Sequence, residues 1–109
     1  MSHKMVRISV SPEFLEELKK RQQSFAPSIS ISSIARHYIT LGLPIIRNYK
    51  YMYSNVGGNY IILKMPQELI KKCDLLKEKT GTKSSSKVYF TAMVEGMQQA
   101  DAIKQKETE

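Results

Sequence analysis

Tyr60-Ile61-Ile62-Leu63-Lys64-Met65-Pro66-Gln67-Glu68-Leu69-Ile70-Lys71-Lys72-Cys73 reads as a short strand that passes into a helix at a proline. The same pattern stands 55 residues earlier, in Met5-Val6-Arg7-Ile8-Ser9-Val10-Ser11-Pro12-Glu13-Phe14-Leu15-Glu16-Glu17-Leu18. At that offset Val6, Ile8 and Val10 fall on Ile61, Leu63 and Met65, and Phe14, Leu15 and Leu18 fall on Leu69, Ile70 and Cys73. Glu13 falls on Glu68. With the offset reduced to 54, Ser30, Ser32, Ile34, Ala35 and Ile39 meet Ser84, Ser86, Val88, Tyr89 and Met93. Few identities survive, but residue types agree over some 40 positions, which marks a structural repeat.

Both copies follow one plan. Every second residue is apolar in Met5–Val10 and in Tyr60–Met65, as in a half-buried strand. The proline that follows suits the first turn of a helix, where its missing N–H has no intrahelical partner, and Ser11 adds a cap. The first helix is predicted to run to about Ser24, and its counterpart to about Thr80, where Gly81 supplies a stop. Serine clusters (Ser28, Ser30, Ser32, Ser33 and Ser84, Ser85, Ser86) open second helices with apolar residues at helical spacing. The division is thus a first unit at 1–43, a linker at 44–58, a second unit at 59–97 and a polar tail at 98–109. The linker is broken by Pro44 and Gly57-Gly58, yet Tyr49, Tyr51, Met52 and Tyr53 make it too apolar to hang free. It is expected to pack on the core, partly helical, and the tail is expected to fray.

A six-residue strand without a neighbour leaves its backbone groups unpaired, and one unit of this size cannot build an adequate core. Each strand therefore needs a partner, and the other copy of the unit is the obvious one; pairing with the same unit of a second chain is the competing arrangement. The fold predicted is mainly α with a short two-stranded antiparallel β-ribbon, formed within one chain as a pseudo-dimer of the two units. The linker spans roughly 50 Å when extended, enough to bring the strands together. Val6, Ile8, Val10, Ile61, Leu63 and Met65 would face the helices, and Met5, Arg7, Ser9, Tyr60, Ile62 and Lys64 would face outward.

This plan resembles the ribbon-helix-helix superfamily of DNA-binding proteins, to which the Arc and methionine repressors belong. The resemblance is closest in Leu63-Lys64-Met65-Pro66-Gln67-Glu68-Leu69, Lys77-Glu78-Lys79-Thr80-Gly81 and Ser84-Ser85-Ser86-Lys87-Val88. It covers nearly the whole chain in two copies, outside the linker and tail. Most members carry one unit and dimerise; a tandem in one chain looks like regulators encoded by some viruses of archaea. The resemblance implies that outward ribbon residues read bases in the major groove, which lands on Met5, Arg7, Ser9, Tyr60, Ile62 and Lys64. Arg7 suits guanine O6 and N7, Ser9 several bases, and Lys64 a base or a phosphate. Tyr60 and Ile62 depart from the usual polar readers and point either to thymine methyls or to a partner other than DNA. The second-helix starts imply phosphate contacts at Ser30, Ile31 and Ser32, and at Ser84, Ser85 and Ser86, with Lys83 and Lys87 alongside. There a backbone N–H and the helix dipole matter more than a side chain. One extra residue between Gly81 and Ser84, relative to the common spacing, leaves the position of the second cap open.

Charge agrees with a polyanionic partner: 17 Lys and Arg against 10 Asp and Glu give +7 over 109 residues. The longest apolar run, Leu41–Ile46, is interrupted by Gly42 and Pro44 and falls far short of a membrane span. Met1–Arg7 has no apolar signal core, and the lone Cys73 allows no internal disulfide, so a cytoplasmic location is expected (the host's, if the chain is viral). His3 and His37 lack partners at ligand spacing, and nothing assembles a nucleophile, a base and an oxyanion site. No enzyme activity, metal, cofactor or small-molecule substrate is expected. The partner expected is double-stranded DNA, with homo-oligomers forming on it. Two other functions stay open: an antitoxin-like protein-binding module, and a basic architectural DNA- or RNA-binding protein without sequence preference.

Overall fold

The computed structural model describes residues 3–25, 29–46 and 58–108. Its elements are β1 (His3–Val10), α1 (Pro12–Phe25), α2 (Ile31–Gly42), β2 (Asn59–Pro66), α3 (Gln67–Thr80) and α4 (Ser85–Thr108), with a single 3-10 turn at Leu43–Ile45. The architecture is mainly helical with one two-stranded antiparallel sheet. β1 and β2 pair with each other in the one chain. Their register places Met5 opposite Lys64, Arg7 opposite Ile62 and Ser9 opposite Tyr60. Arg7 and Ile62 are also the positions that the 55-residue offset makes equivalent, so the pairing is symmetric about them.

The helix boundaries keep the two offsets. α1 begins at 12 and α3 at 67, 55 apart, and both have 14 residues. α2 begins at 31 and α4 at 85, 54 apart. Capping differs between the first helices. The Phe14 N–H donates to Ser11 Oγ at 3.2 Å, and Pro12 occupies the first turn as predicted. Pro66 sits one position earlier than expected, at the cap itself, where it closes β2 in extended conformation (φ −62°, ψ 147°) opposite His3. A proline at a strand end loses no ladder bond that the ribbon needs. α3 stops at Gly81, whose φ of 71° is left-handed and costs glycine nothing; its N–H donates to Glu78 O.

The core lies beneath one face of the ribbon. Ile8, Val10, Ile61, Leu63 and Met65 are buried there, together with Leu18, Ile34, Ala35, Ile39, Leu69, Cys73, Val88, Ala92 and Met93 from all four helices. Val6 is half-buried against the same cluster. Phe14 of α1 meets Phe90 of α4 edge-on, their rings 4.8 Å apart. The most extensive helix contact is between α2 and α4. It is close enough that a Cβ on Gly42 would lie 1.8 Å from the Ala92 carbonyl oxygen, and one on Gly96 1.9 Å from that of Tyr38. Gly42 and Gly96 are 54 apart, as are Tyr38 and Ala92, so the two close approaches keep the offset of the helix starts.

Two expectations about the connecting segments meet the structure differently. The start of the linker does pack, as a 3-10 turn followed by the buried Ile46. Ser28, Tyr49, Tyr51, Met52 and Tyr53 lie outside the described residues. The tail does not fray: α4 continues as helix through Thr108. Composition hid the reason. Met97 is buried, Ala100 packs on the core, and Arg21 of α1 holds Asp101 with two hydrogen bonds of 2.9 Å. Among the described residues, no helix is long and apolar enough to cross a membrane.

Candidate nucleic-acid interface

The ribbon's other face is open. Alternation sends Met5, Arg7, Tyr60, Ile62 and Lys64 into solvent, with Ser9 half-covered. Met5, Ile62 and Tyr60 are 60%, 54% and 53% exposed, three of the five exposed large apolar side chains among the described residues. Single exposed apolar residues are ordinary, but here three of them share one small face. The face is also cationic through Arg7 and Lys64. The Arg7 guanidinium lies over the Tyr60 ring, 3.8 Å from its centroid.

Both backbone edges of the ribbon are tied to second helices. Along β2, Ser32 Oγ of α2 donates to the Ile62 carbonyl at 2.6 Å, and Arg36 Nη1 donates to that of Lys64 at 2.9 Å. Along β1, the Ser9 N–H donates to Ser86 Oγ of α4 at 3.4 Å. Ser32 and Ser86 are repeat equivalents, so one hydroxyl from each second helix braces the strand beside it. These bonds satisfy edge groups that would otherwise invite a foreign strand. They also place the N-termini of α2 and α4 on opposite flanks of the open face.

Each N-terminus is capped the same way. The Ser33 N–H donates to Ser30 Oγ at 3.1 Å, and the Lys87 N–H to Ser84 Oγ at 3.3 Å. Ser84 is therefore the second cap, and the extra residue after Gly81 is absorbed before it. In each helix the next two residues, Ile31 and Ser32 or Ser85 and Ser86, precede the first intrahelical acceptor for their N–H groups. Lys77 Nζ donates to Ser85 Oγ at 3.2 Å, bringing a further cation to α4's start, where Lys83 and Lys87 are exposed. Of the predicted phosphate positions, Ser30 and Ser84 are helix caps, and Ser32 and Ser86 use their hydroxyls on the ribbon. What each start offers an anion is thus backbone and dipole.

Sequence reasoning passed over three features. Arg36 was legible, because it follows Ser32 by one helical turn and so shares its face. Gly42 and Gly96 were legible too, as glycines 54 residues apart. Lys77 was not, since only the packing of α3 against α4 brings it to Ser85. Elsewhere the chemistry is subdued. Burial pushes the Cys73 thiol up to about 12, with the Asp74 charge adding to it, which suits a small hydrophobe rather than a nucleophile. No group of three or more metal-ligating side chains occurs among the described residues. A half-open groove of about 810 Å³ between α2 and the end of α4 is lined by Ile34, Tyr38, Leu41, Ile103 and the paired Arg21 and Asp101, away from the ribbon. No protein-family model, no curated protein and no solved structure matches the chain.

Proposed function

We propose that the chain is a sequence-specific, duplex-DNA-binding regulator of transcription of the ribbon-helix-helix kind, built as a pseudo-dimer of two units in one chain. The observation that carries this reading is the open ribbon face. Two outward triplets, Met5-Arg7-Ser9 and Tyr60-Ile62-Lys64, stand opposite one another on a ribbon buried on its other side. The B-DNA major groove admits a two-stranded ribbon, and its base edges offer what these side chains can contact. Phosphates border that groove on both sides, which matches two helix N-termini flanking the ribbon. The net charge of +7 favours any such encounter.

The triplets differ, so one chain favours an asymmetric half-site, and a palindromic operator takes two chains side by side. Against the antitoxin-like alternative stands Asp101 of α4, which is tied to Arg21 of its own α1 by two hydrogen bonds. Selection from random duplexes followed by footprinting tests the reading. Enrichment of one short sequence protected in the major groove is expected. Binding that ignores sequence and shows only a steep salt slope would replace it with an architectural role.

A further inference from the structure

Resting on that reading, we propose that Tyr60 is a positioning residue rather than a base reader. It holds Arg7 off the centre of the ribbon, so that one chain reads DNA in one direction only. Arg7 stands opposite Ile62 in the register, yet its guanidinium lies over Tyr60, the partner of Ser9. The cation is therefore drawn to the Ser9–Tyr60 end, away from the pair about which the strand pairing is symmetric. A guanidinium that meets a ring through its face keeps its N–H donors at its edge, where the fork that matches guanine O6 and N7 remains presented. Holding that long side chain in one place before binding lowers the entropy lost on contact.

The other end of the face carries two apolar side chains beside Lys64, whose ammonium we assign to a phosphate. Met5 and Ile62 stand in the same diagonal relation as Arg7 and Tyr60, and both are more than half exposed. Neither can donate a hydrogen bond, the Met5 thioether is only a weak acceptor, and the apolar feature that base edges present in the major groove is the thymine methyl. The face divides into a guanine-directed end and a thymine-directed end. The internal symmetry that governs the core does not extend to it.

The test uses the full chain and the best duplex from a random-sequence selection, with binding read by fluorescence anisotropy. That duplex should hold a guanine towards one end of the contacted base pairs and thymines towards the other. Replacing that guanine by 7-deazaguanine should weaken wild-type binding about 5-fold or more, and should leave Arg7→Ala unaffected. Replacing each contacted thymine by uracil should cost about 4-fold. Tyr60→Ala should lose about 2- to 5-fold of the guanine preference, Tyr60→Phe should keep it, and adding Tyr60→Ala to Arg7→Ala should remove nothing more. Tyr60 is exposed, so unchanged thermal melts will show that both variants fold. If Tyr60→Phe loses as much as Tyr60→Ala, the hydroxyl reads a base itself and the positioning role is wrong. Equal guanine preference at both ends, or indifference to uracil, overturns directional reading while leaving a sequence-specific regulator in place. If no duplex is preferred over any other, the regulator reading falls and this inference with it.

Discussion

The two halves of the chain agree where they pack and disagree where they face solvent. Offsets of 55 and 54 carry the helix starts, the serine caps, the Ser32 and Ser86 braces and the glycines of the α2–α4 crossing from one half to the other. On the open ribbon face the 55-residue offset sets Met5 against Tyr60, Arg7 against Ile62 and Ser9 against Lys64, pairs of different residue type. Packing explains the agreement. Each half covers the other, so a change of volume or path in one must be met by its counterpart. Outward side chains meet no such demand and are free to diverge.

The hardest break of the comparison is at the helix crossing. Gly42→Ala and Gly96→Ala each drive a methyl into a backbone carbonyl, so each should cost about 3 kcal/mol or more in urea denaturation. A large effect from one glycine and none from the other would mean that the crossing is not shared equally. Next come the buried strand residues. Ile8→Ala and Leu63→Ala, equivalent and both fully buried, should each lose about 2–4 kcal/mol, several times the cost of Ser9→Ala. Small, equal effects at all three would show the strand faces to be reversed.

Outward positions should part company. Arg7→Ala is expected to weaken the preferred duplex by about 1–3 kcal/mol with non-specific binding nearly unchanged. Ile62→Ala, its equivalent, should leave the guanine preference intact. A uniform loss on all sequences would make Arg7 a phosphate contact.

The smallest effect is one-sided by construction. Arg21 has no ionic counterpart, since Leu76 occupies its place in the second half. Its hydrogen bonds hold the Asp101 carboxyl below its ordinary value, against the opposing effect of burial. A depressed carboxylate stabilises the fold fully above its unfolded value, near pH 4, and loses that contribution as pH falls through its lower folded value. Asp101 is largely exposed and solvent screens it, so Asp101→Asn should cost no more than about 1 kcal/mol at pH 7 and progressively less as the pH falls into the acid range. A loss that persists in acid would assign the effect to packing of α4 instead.

Much of this was legible in the residues alone. Strand alternation, the Ser11 and Pro12 start, the Gly81 stop and the serine caps are local signals, settled by backbone sterics and hydrogen-bond satisfaction within a few residues. The two faces of the ribbon followed from period-two spacing, because an unpaired strand must find a partner and bury its apolar side. Pro66 was misjudged by one position because a proline serves equally as the last residue of a strand and the first of a helix, and only the pairing with His3 chose between them. The end of α4 was misjudged because its polar composition conceals Ala100, which packs on the core, and Asp101, whose partner Arg21 lies 80 residues away in sequence.

Local chemistry along the chain thus determined the elements, their order and the residues of the buried face, while the structure chose β2 of the same chain as the partner of β1. Tertiary structure alone decided how closely α2 and α4 approach, which hydroxyls brace the ribbon, where Lys77 arrives and which ring receives Arg7. The reason is one of range. Dihedral preference, capping and periodicity act between neighbours in sequence, whereas a cation over a ring or a methyl against a carbonyl depends on register and helix crossing, which exist only once both halves have closed on each other.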